Sequence, residues 1–216
     1  MVSSLRKTIV TRLQVILIRL LFGNYPNFGA PNWEFVSENW IERAGVAAEK
    51  IISTGVCEVM DFGAGNGRLV EMLRSRGWDG HYVPVDLVSR NSNYVALDFN
   101  KPDLLPNIKI ESIAIIGSLE YCTEVPKFVN WLSQSTTFVI LCYNSRKSKN
   151  GFKSYYSLLH RKFLLWRSQL RQLEIIELFS QNDFNLVLLE SDKNGDWFIF
   201  YNNELPKFSG NTSDRI

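Results

Sequence analysis

A glycine-rich segment constrains the fold of this chain more than any other part of its sequence. The segment reads Asp61-Phe62-Gly63-Ala64-Gly65-Asn66-Gly67 and lies between a run that predicts a strand, Glu58–Asp61, and a helical pattern that begins at Arg68. Glycines at alternate positions let the backbone turn sharply and leave no side chains where a ligand would approach. The segment therefore predicts a ligand-binding turn between a strand and a helix of an α/β domain.

The rest of the chain alternates short β-rich runs with helical stretches. Strands are predicted at Glu58–Asp61, Tyr82–Asp86, Val95–Asp98, Ile113–Gly117 and Phe138–Tyr143, and helices at Trp33–Ile52, Arg68–Arg76, Val125–Ser133 and Tyr155–Phe179. Two further strands, Asn185–Ser191 and Trp197–Tyr201, flank the hairpin signal Asp192-Lys193-Asn194-Gly195. This order predicts a doubly wound, mostly parallel sheet that has helices on both faces and ends in an antiparallel hairpin.

Spacing and composition exclude several classes of function. A dinucleotide loop needs a third glycine at position 68, which is arginine, and no Gly-Lys-Ser/Thr follows for a phosphate loop. The 216 residues are 45% hydrophobic and have a net charge of +2, which favours one globular domain without an obligatory nucleic-acid partner. Cys57, Cys122 and Cys142 have no CxxC spacing, which favours buried thiols in a reducing cytoplasm. Histidines and carboxylates show no ligand spacing, so no metal is expected.

An acidic residue, Asp86, ends the next predicted strand about twenty residues after the glycine loop. With D-x-G-x-G-x-G before it and Gly117-Ser118-Leu119-Glu120-Tyr121 after the fourth strand, the chain resembles the class I S-adenosylmethionine-dependent methyltransferases. The resemblance implies a Rossmann-like seven-stranded domain over residues 55–204. The helical patterns before it predict an N-terminal helical extension, 1–54, and the polar, Ser/Asn-rich composition after it predicts a flexible tail, 205–216.

The same resemblance implies S-adenosyl-L-methionine as the cofactor and gives its contacts a place in the sequence. The glycine loop would lie under the methionine part, Asp61 would help hold the amino-acid end, and Asp86 would accept from the ribose hydroxyls. Asp98 and Phe99 would face the adenine. The expected cofactor-binding set is Asp61, Phe62, Gly63, Ala64, Gly65, Gly67, Asp86, Leu87, Asp98, Phe99, Gly117, Ser118 and Leu119. Only Leu87–Tyr94 separate the second and third strands, which leaves no room for the family's usual helix and predicts a looser adenine pocket.

The region after the fifth strand, residues 146–171, is basic and aromatic, and no acidic residue occurs between Val125 and Leu173. The family often builds its substrate lid there. Such a segment suits RNA, a sugar nucleotide, a phospholipid-linked glycan or an anionic membrane, and it equally suits a solvated helix with inward aromatics. Glu120, Tyr121 and His160 are the candidate catalytic residues, and Tyr25, Trp33, Tyr143 and Tyr155 are the candidate substrate contacts.

The methyl acceptor is expected to be an oxygen or nitrogen of a small molecule. A phosphate-bearing sugar or glycan precursor is favoured, because the chain resembles small bacterial methyltransferases in general. The absence of Asn/Asp-Pro-Pro-aromatic and of a Pro-Cys pair disfavours methylation of nucleic-acid bases. Two alternatives stay open: an RNA methyltransferase, and a non-catalytic cofactor-binding or membrane-associated interaction protein.

The N-terminal 22 residues form an amphipathic helical pattern that Arg12 and Arg19 make too short to span a bilayer. No small-residue cleavage site follows, so a secretory signal is not expected. Such a helix packs on the domain or a second subunit, or it lies on a membrane surface. The oligomeric state is open.

Overall fold

The computed structural model of the protein describes residues 38–89, 91–145 and 166–205. The elements, in chain order, are α1 (Glu38–Thr54), β1 (Glu58–Phe62), α2 (Arg68–Ser75), β2 (His81–Asp86), β3 (Val95–Ala96), β4 (Ile110–Ile116), α3 (Val125–Ser135), β5 (Thr136–Tyr143), α4 (Gln172–Ser180), β6 (Phe184–Asp192) and β7 (Gly195–Asn202). Two 3₁₀ turns, Pro102–Leu104 and Leu119–Tyr121, flank β4.

The strands form one seven-stranded sheet in the order β3-β2-β1-β4-β5-β7-β6. The pairs from β3 to β5 are parallel, whereas β7 pairs antiparallel with both β5 and β6. The predicted doubly wound sheet with a C-terminal hairpin is confirmed. Because the chain reverses its direction across the sheet at β1, the ends of β1 and β4 form the crevice in which open α/β sheets bind ligands.

Helices cover both faces of the sheet, and each face has its own apolar core. On one face α1 and α2 pack Ala47, Ile51 and Leu73 against Val59 of β1. On the other face the core joins strand residues to α3 and α4, with Phe128 and Phe179 fully buried. All five residues of β1 are buried, as expected for a central strand with helices on both sides.

Of the predicted helix Tyr155–Phe179, the structure describes residues 166–179; the prediction is confirmed at 172–179 and wrong at 166–171. Residues 166–171 are not helical, because the amides of Arg167 and Ser168 donate to the distant carbonyl of Glu120 at 2.6 and 3.0 Å instead of within their own segment. The helix α4 begins only at Gln172, after Arg171 and Glu174 form a capping box. Tertiary hydrogen bonds therefore override the local helical pattern.

Two smaller expectations concern the connection after β2 and the cysteines. The described residues between β2 and β3 contain no helix, as the short spacing predicts. Cys122 and Cys142 are buried, but the expectation of a buried thiol is wrong for Cys57, which is exposed just before β1.

None of the helices in the described part of the chain is long and apolar enough to cross a membrane. The amphipathic pattern of the first 22 residues lies outside the described residues.

Candidate functional site

The candidate site lies at the carboxyl edge of the sheet, where β1, β2 and β4 end side by side. Phe62 at the end of β1 is in register with Val85 of β2, and Asp61 with Ala114 of β4. The glycine loop, the turn after β2 and the turn after β4 therefore meet at this edge. The sequence predicts this meeting because the ends of parallel strands lie at the same edge of a sheet.

The glycine loop is folded back onto the end of β2. The amides of Gly63 and Ala64 both donate to the carbonyl oxygen of Val85, at 2.8 and 3.0 Å. The amide of Gly65 donates to Asp86 Oδ2 at 2.9 Å. The amide of Leu87 donates to the other carboxylate oxygen, Oδ1, at 2.7 Å. Asp86 thus fixes the loop, and its carboxylate faces the loop's backbone.

Two of the loop's glycines are needed for different reasons. At Gly63, where φ is 85°, an added Cβ would lie 2.6 Å from Ser118 Cβ, so this glycine allows the β1 and β4 turns to pack together. At Gly65, where φ is 55°, an added Cβ would meet nothing nearer than 3.9 Å. The space beside Gly65 is therefore open, as a ligand cradle requires.

Asp61 lies beneath this loop and is 3% exposed. Tyr82 on β2 donates its hydroxyl to Asp61 Oδ2 at 2.5 Å. Burial raises the pKa of the Asp61 carboxyl to about 7; the Tyr82 hydrogen bond opposes the rise, and the nearby charge of Asp86 adds to it. Burial also raises the pKa of Tyr82, so its hydroxyl stays protonated and acts as the donor.

Asp98 and Phe99 occupy the turn after the short strand β3. Asp98 Oδ1 accepts from the amide of Asn100 at 2.9 Å, and its other oxygen is 3.9 Å from Lys101 Nζ. The ring of Phe99 packs against Phe128 of α3, with ring centroids 5.7 Å apart. The strand ends at Ala96 rather than at the predicted Asp98, because the chain turns as soon as the ladder with β2 stops.

Several other residues of the predicted cofactor set face inward. Phe62 and Leu119 are each 1% exposed and belong to the α3 and α4 core, and Ala64 is buried as well. Phe62 contributes its carbonyl oxygen, which accepts from the Ser118 hydroxyl at 2.6 Å. Gly117, the first residue of the turn after β4, has φ of 74° and lies against Arg43, and Gly67 precedes α2. These residues shape the edge through their backbone.

Glu120 is the centre of a polar cluster on the β5 side of the same edge. Its Oε1 accepts from the amide and the side chain of Asn144 at 3.0 and 2.9 Å, whereas Oε2 is buried without a hydrogen-bond partner among the described residues. Burial raises the pKa of the Glu120 carboxyl; Asn144 and, more weakly, the Arg43 charge oppose the rise. A carboxyl in this state is suited to take up a proton.

Tyr121, the other described candidate for catalysis, follows in the same turn. Its hydroxyl accepts a hydrogen bond from the side chain of Trp166, while burial raises its pKa. The Tyr121 carbonyl also accepts from Asn100 Nδ2 at 3.3 Å. These contacts tie the turn after β4 to the turn after β3 and to residue 166, the first described residue of the predicted lid.

Tyr143, predicted as a substrate contact, is enclosed in the core. Its side chain is fully buried, and its hydroxyl contacts Ser168 Oγ at 3.1 Å and accepts from the Leu170 amide at 2.9 Å. These contacts lie within the core, and a substrate contact at Tyr143 stays a prediction. The remaining predicted substrate contacts, Tyr25, Trp33 and Tyr155, and the catalytic candidate His160 lie outside the described residues.

Three side chains of this edge were missed at the sequence level. Tyr82 reaches Asp61, Tyr94 donates to the Gly65 carbonyl at 3.2 Å, and Arg43 of α1 donates from Nη2 to the Asn194 carbonyl at 2.8 Å. The alternation in β2 is the one signal that points to Tyr82, because it predicts Tyr82, Pro84 and Asp86 on one face. Nothing local marks Tyr94 or Arg43.

The described side chains on the cofactor side of the edge are acidic. Asp86 accepts from the Gly65 amide beside the open space, the buried Asp61 is close enough to Asp86 for their charges to interact, and in the described ranges no cation contacts Asp61. Such a site fits a ligand that carries its own positive charge together with hydroxyl donors. Within these same ranges, no group of three histidine, cysteine or acidic side chains is placed to hold a metal ion.

Comparisons with solved structures identify the fold. A structure of magnesium protoporphyrin IX methyltransferase from Synechocystis PCC 6803 with bound SAH aligns over 75% of this chain and 82% of its own, with 13% identity and a TM-score of 0.51. A SAM dependent methyltransferase from Archaeoglobus fulgidus aligns over 75% and 79%, with 15% identity and a TM-score of 0.54. No protein-family model and no curated protein sequence matches the chain. The chain has the class I methyltransferase fold.

Proposed function

We propose that the protein is an S-adenosylmethionine-dependent methyltransferase whose acceptor is an oxygen or nitrogen of a small molecule. The observation that carries the proposal is the hydrogen bond from the Gly65 amide to the Asp86 carboxylate, beside the open space at Gly65. We call this space the cradle. The Synechocystis protein, which shares this fold, was solved with bound SAH, which supports this cofactor. A dinucleotide or nucleoside triphosphate would need cations for its phosphates, which the described cradle does not offer.

The residues present fit this cofactor. Asp86 would accept from the ribose hydroxyls while it keeps the loop amides, because a carboxylate accepts several hydrogen bonds. Asp61 would face the positively charged amino-acid end, and the backbone of Gly63 and Gly65 would border the methionine chain. When bound, the sulfonium supplies an electrophilic methyl group. The protein's part is to hold the acceptor in line and to exclude water.

The acceptor side is the edge beyond β4 and β5, around Glu120 and Asn144. The predicted lid, residues 146–171, is rich in lysine, arginine and aromatic residues, which supports a phosphate-bearing acceptor such as a sugar or glycan precursor. Glu120, buried and with a raised pKa, is the described candidate for taking up a proton from the acceptor.

Calorimetric titration tests the cofactor part of the proposal. S-adenosylmethionine and S-adenosylhomocysteine should bind with roughly micromolar affinity. Asp86→Ala should abolish binding, since it removes both the ribose acceptor and the partner of the loop amides. Asp79→Asn, at an exposed acidic residue before β2, is the matched control and should bind like the wild type. Wild-type protein that binds neither compound would overturn the proposal.

Labelled cofactor and fractionated cell extract test the acceptor part. Transfer of label to a small, anionic, ribonuclease-resistant fraction is expected. Label that disappears on ribonuclease treatment would assign the activity to RNA instead. Binding without transfer to any fraction would favour a non-catalytic cofactor-binding protein.

A further inference from the structure

The half-buried Tyr82 and the buried Asp61 form a hydrogen-bonded pair that the proposed chemistry leaves unexplained. Asp61 is 3% exposed, and the described contact of its carboxylate is the 2.5 Å hydrogen bond from the Tyr82 hydroxyl. Asp61 belongs to β1 and Tyr82 to β2, and the register of the two strands, with Val59 opposite Tyr82, brings the ring alongside. The pair is therefore built into the sheet rather than held by a loop.

Among the residues that the structure describes, the neighbourhood of this pair contains acids and hydroxyls but no cation in contact with it. Asp86 on β2 and the Tyr94 hydroxyl from the β2–β3 connection are near the pair. On α2, Arg68 is 2.5 Å from its helical neighbour Glu71, and on α1, Arg43 is bonded to the Asn194 carbonyl. In the described ranges, the positive charge that would balance ionised Asp61 is thus absent.

We propose that Tyr82 is a positioning residue for Asp61. Tyr82 holds the Asp61 carboxyl where it loses its proton when the ammonium group of a cofactor binds beside it. Cofactor binding therefore releases a proton. The inference rests on the proposed function, because it takes the ligand's amino-acid end to be the cation that reaches Asp61. The balance is simple: the protonated carboxyl gives its proton to solvent, and the carboxylate pairs with the ammonium.

The direction of the effect follows from burial. Burial raises the pKa of the Asp61 carboxyl to about 7. The carboxyl is therefore partly protonated near neutral pH. An ammonium ion nearby favours the carboxylate, so ligand affinity should fall as pH drops through this range. Tyr82 opposes protonation through its hydrogen bond, and so it determines the pH at which binding weakens.

The test is calorimetry with the full chain and S-adenosylhomocysteine. Affinity should be about twentyfold weaker at about pH 5.5 than at about pH 7.5. At an intermediate pH, the heats measured in two buffers of different ionisation enthalpy should differ by the release of up to about one proton per ligand bound. Methylthioadenosine, which keeps the nucleoside and sulfur but lacks the amino-acid end, should bind with an affinity independent of pH and without proton release.

Two variants assign the effect to the pair. Tyr82→Phe should move the pH at which binding weakens upward and increase the proton release at about pH 7.5. Asp61→Asn should bind with pH-independent affinity. Tyr201→Phe, a tyrosine of β7 that packs against Phe138, is the matched control and should behave like the wild type.

The outcomes separate the two proposals. Wild-type protein that fails to bind at every pH overturns the proposed function and this inference with it. Wild-type protein that binds equally at both pH values, with equal heats in both buffers, overturns this inference alone. If the affinity of Tyr82→Phe depends on pH as that of the wild type does, Tyr82 is not the positioning residue of Asp61. If that variant does not fold, the wild-type proton count and Asp61→Asn still decide whether Asp61 exchanges a proton.

Discussion

The Ser118 hydroxyl donates to the carbonyl oxygen of Phe62 at 2.6 Å, which joins the turn after β4 to the start of the glycine loop. Ser118 is buried, and its Cβ occupies the space that a side chain at Gly63 would need. The two turns that border the cofactor side of the edge are thus packed against each other. Their spacing depends on a glycine at position 63.

Gly63→Ala should therefore destabilise the protein beyond the cost of its backbone conformation. Gly77 provides the matched control, because its φ of 79° is close to the 85° of Gly63 and an added Cβ there meets nothing within 4 Å. Gly77→Ala should cost about 1 kcal/mol of unfolding free energy, and Gly63→Ala should cost about 1–3 kcal/mol more. Urea unfolding measures both. Equal costs would show that the Ser118 contact relaxes freely.

The sequence predicts which segments form the strands, because the α/β alternation is a local signal, and the acids Asp61 and Asp86 mark the ends of β1 and β2 to within one residue. The end of β3 is predicted less well. It does not predict which way Tyr143 faces. Both faces of β5 are covered by helices, so its run of apolar residues shows no alternation from which to infer a side. Tyr82 was missed for a related reason. Its contact with Asp61 depends on the register between two strands, which no single segment encodes.

The buried Asp61 carboxyl should make the stability of the ligand-free protein depend on pH. Its pKa is raised from 3.8 to about 7 on folding, so between these values the folded protein binds more protons than the unfolded chain. Stability then falls as pH rises through this range. Asp61→Asn should be more stable than the wild type at about pH 8, by on the order of 4 kcal/mol, and should lose this advantage near about pH 4.

Urea unfolding across this pH range measures the effect of Asp61. Asp79→Asn, at an exposed site, should track the wild type at every pH. If the two aspartate variants follow the same curve, the Asp61 carboxyl is ionised in the folded protein without cost, and the inferred proton exchange loses its basis.

Glu120 should respond differently to loss of charge and loss of its side chain. Glu120→Gln keeps an oxygen for the two Asn144 hydrogen bonds and removes a buried carboxyl whose pKa is raised by burial. Its stability at neutral pH should equal or exceed that of the wild type. Glu120→Ala removes the acceptor of two Asn144 hydrogen bonds and opens a cavity, and should cost about 2–4 kcal/mol.

The same pair of variants tests the proposed proton uptake by Glu120. On the acceptor found in the extract assay, Glu120→Gln should lower turnover about a hundredfold while its affinity for S-adenosylhomocysteine stays that of the wild type. Unchanged turnover in a folded Glu120→Gln protein would assign Glu120 to packing of the β4 and β5 turns.

Arg43 and Gly117 should be energetically coupled, because the Arg43 side chain lies over a residue without a side chain. An added Cβ at Gly117, where φ is 74°, would overlap Arg43 Nη1. Gly117→Ala should therefore incur a backbone cost of about 1 kcal/mol and also displace Arg43 from the Asn194 carbonyl. In an Arg43→Ala background only the backbone cost remains. A double-mutant cycle by urea unfolding should give a coupling of about 1 kcal/mol. A coupling of zero would show that the guanidinium finds an equally good position when Gly117 is replaced, since its far end is flexible.

The contact between Arg43 and Gly117 also bears on the acceptor side, because the Arg43 charge acts on both Glu120 and Tyr121. We therefore expect Gly117→Ala, unlike Gly77→Ala, to change the pH dependence of turnover as well as stability.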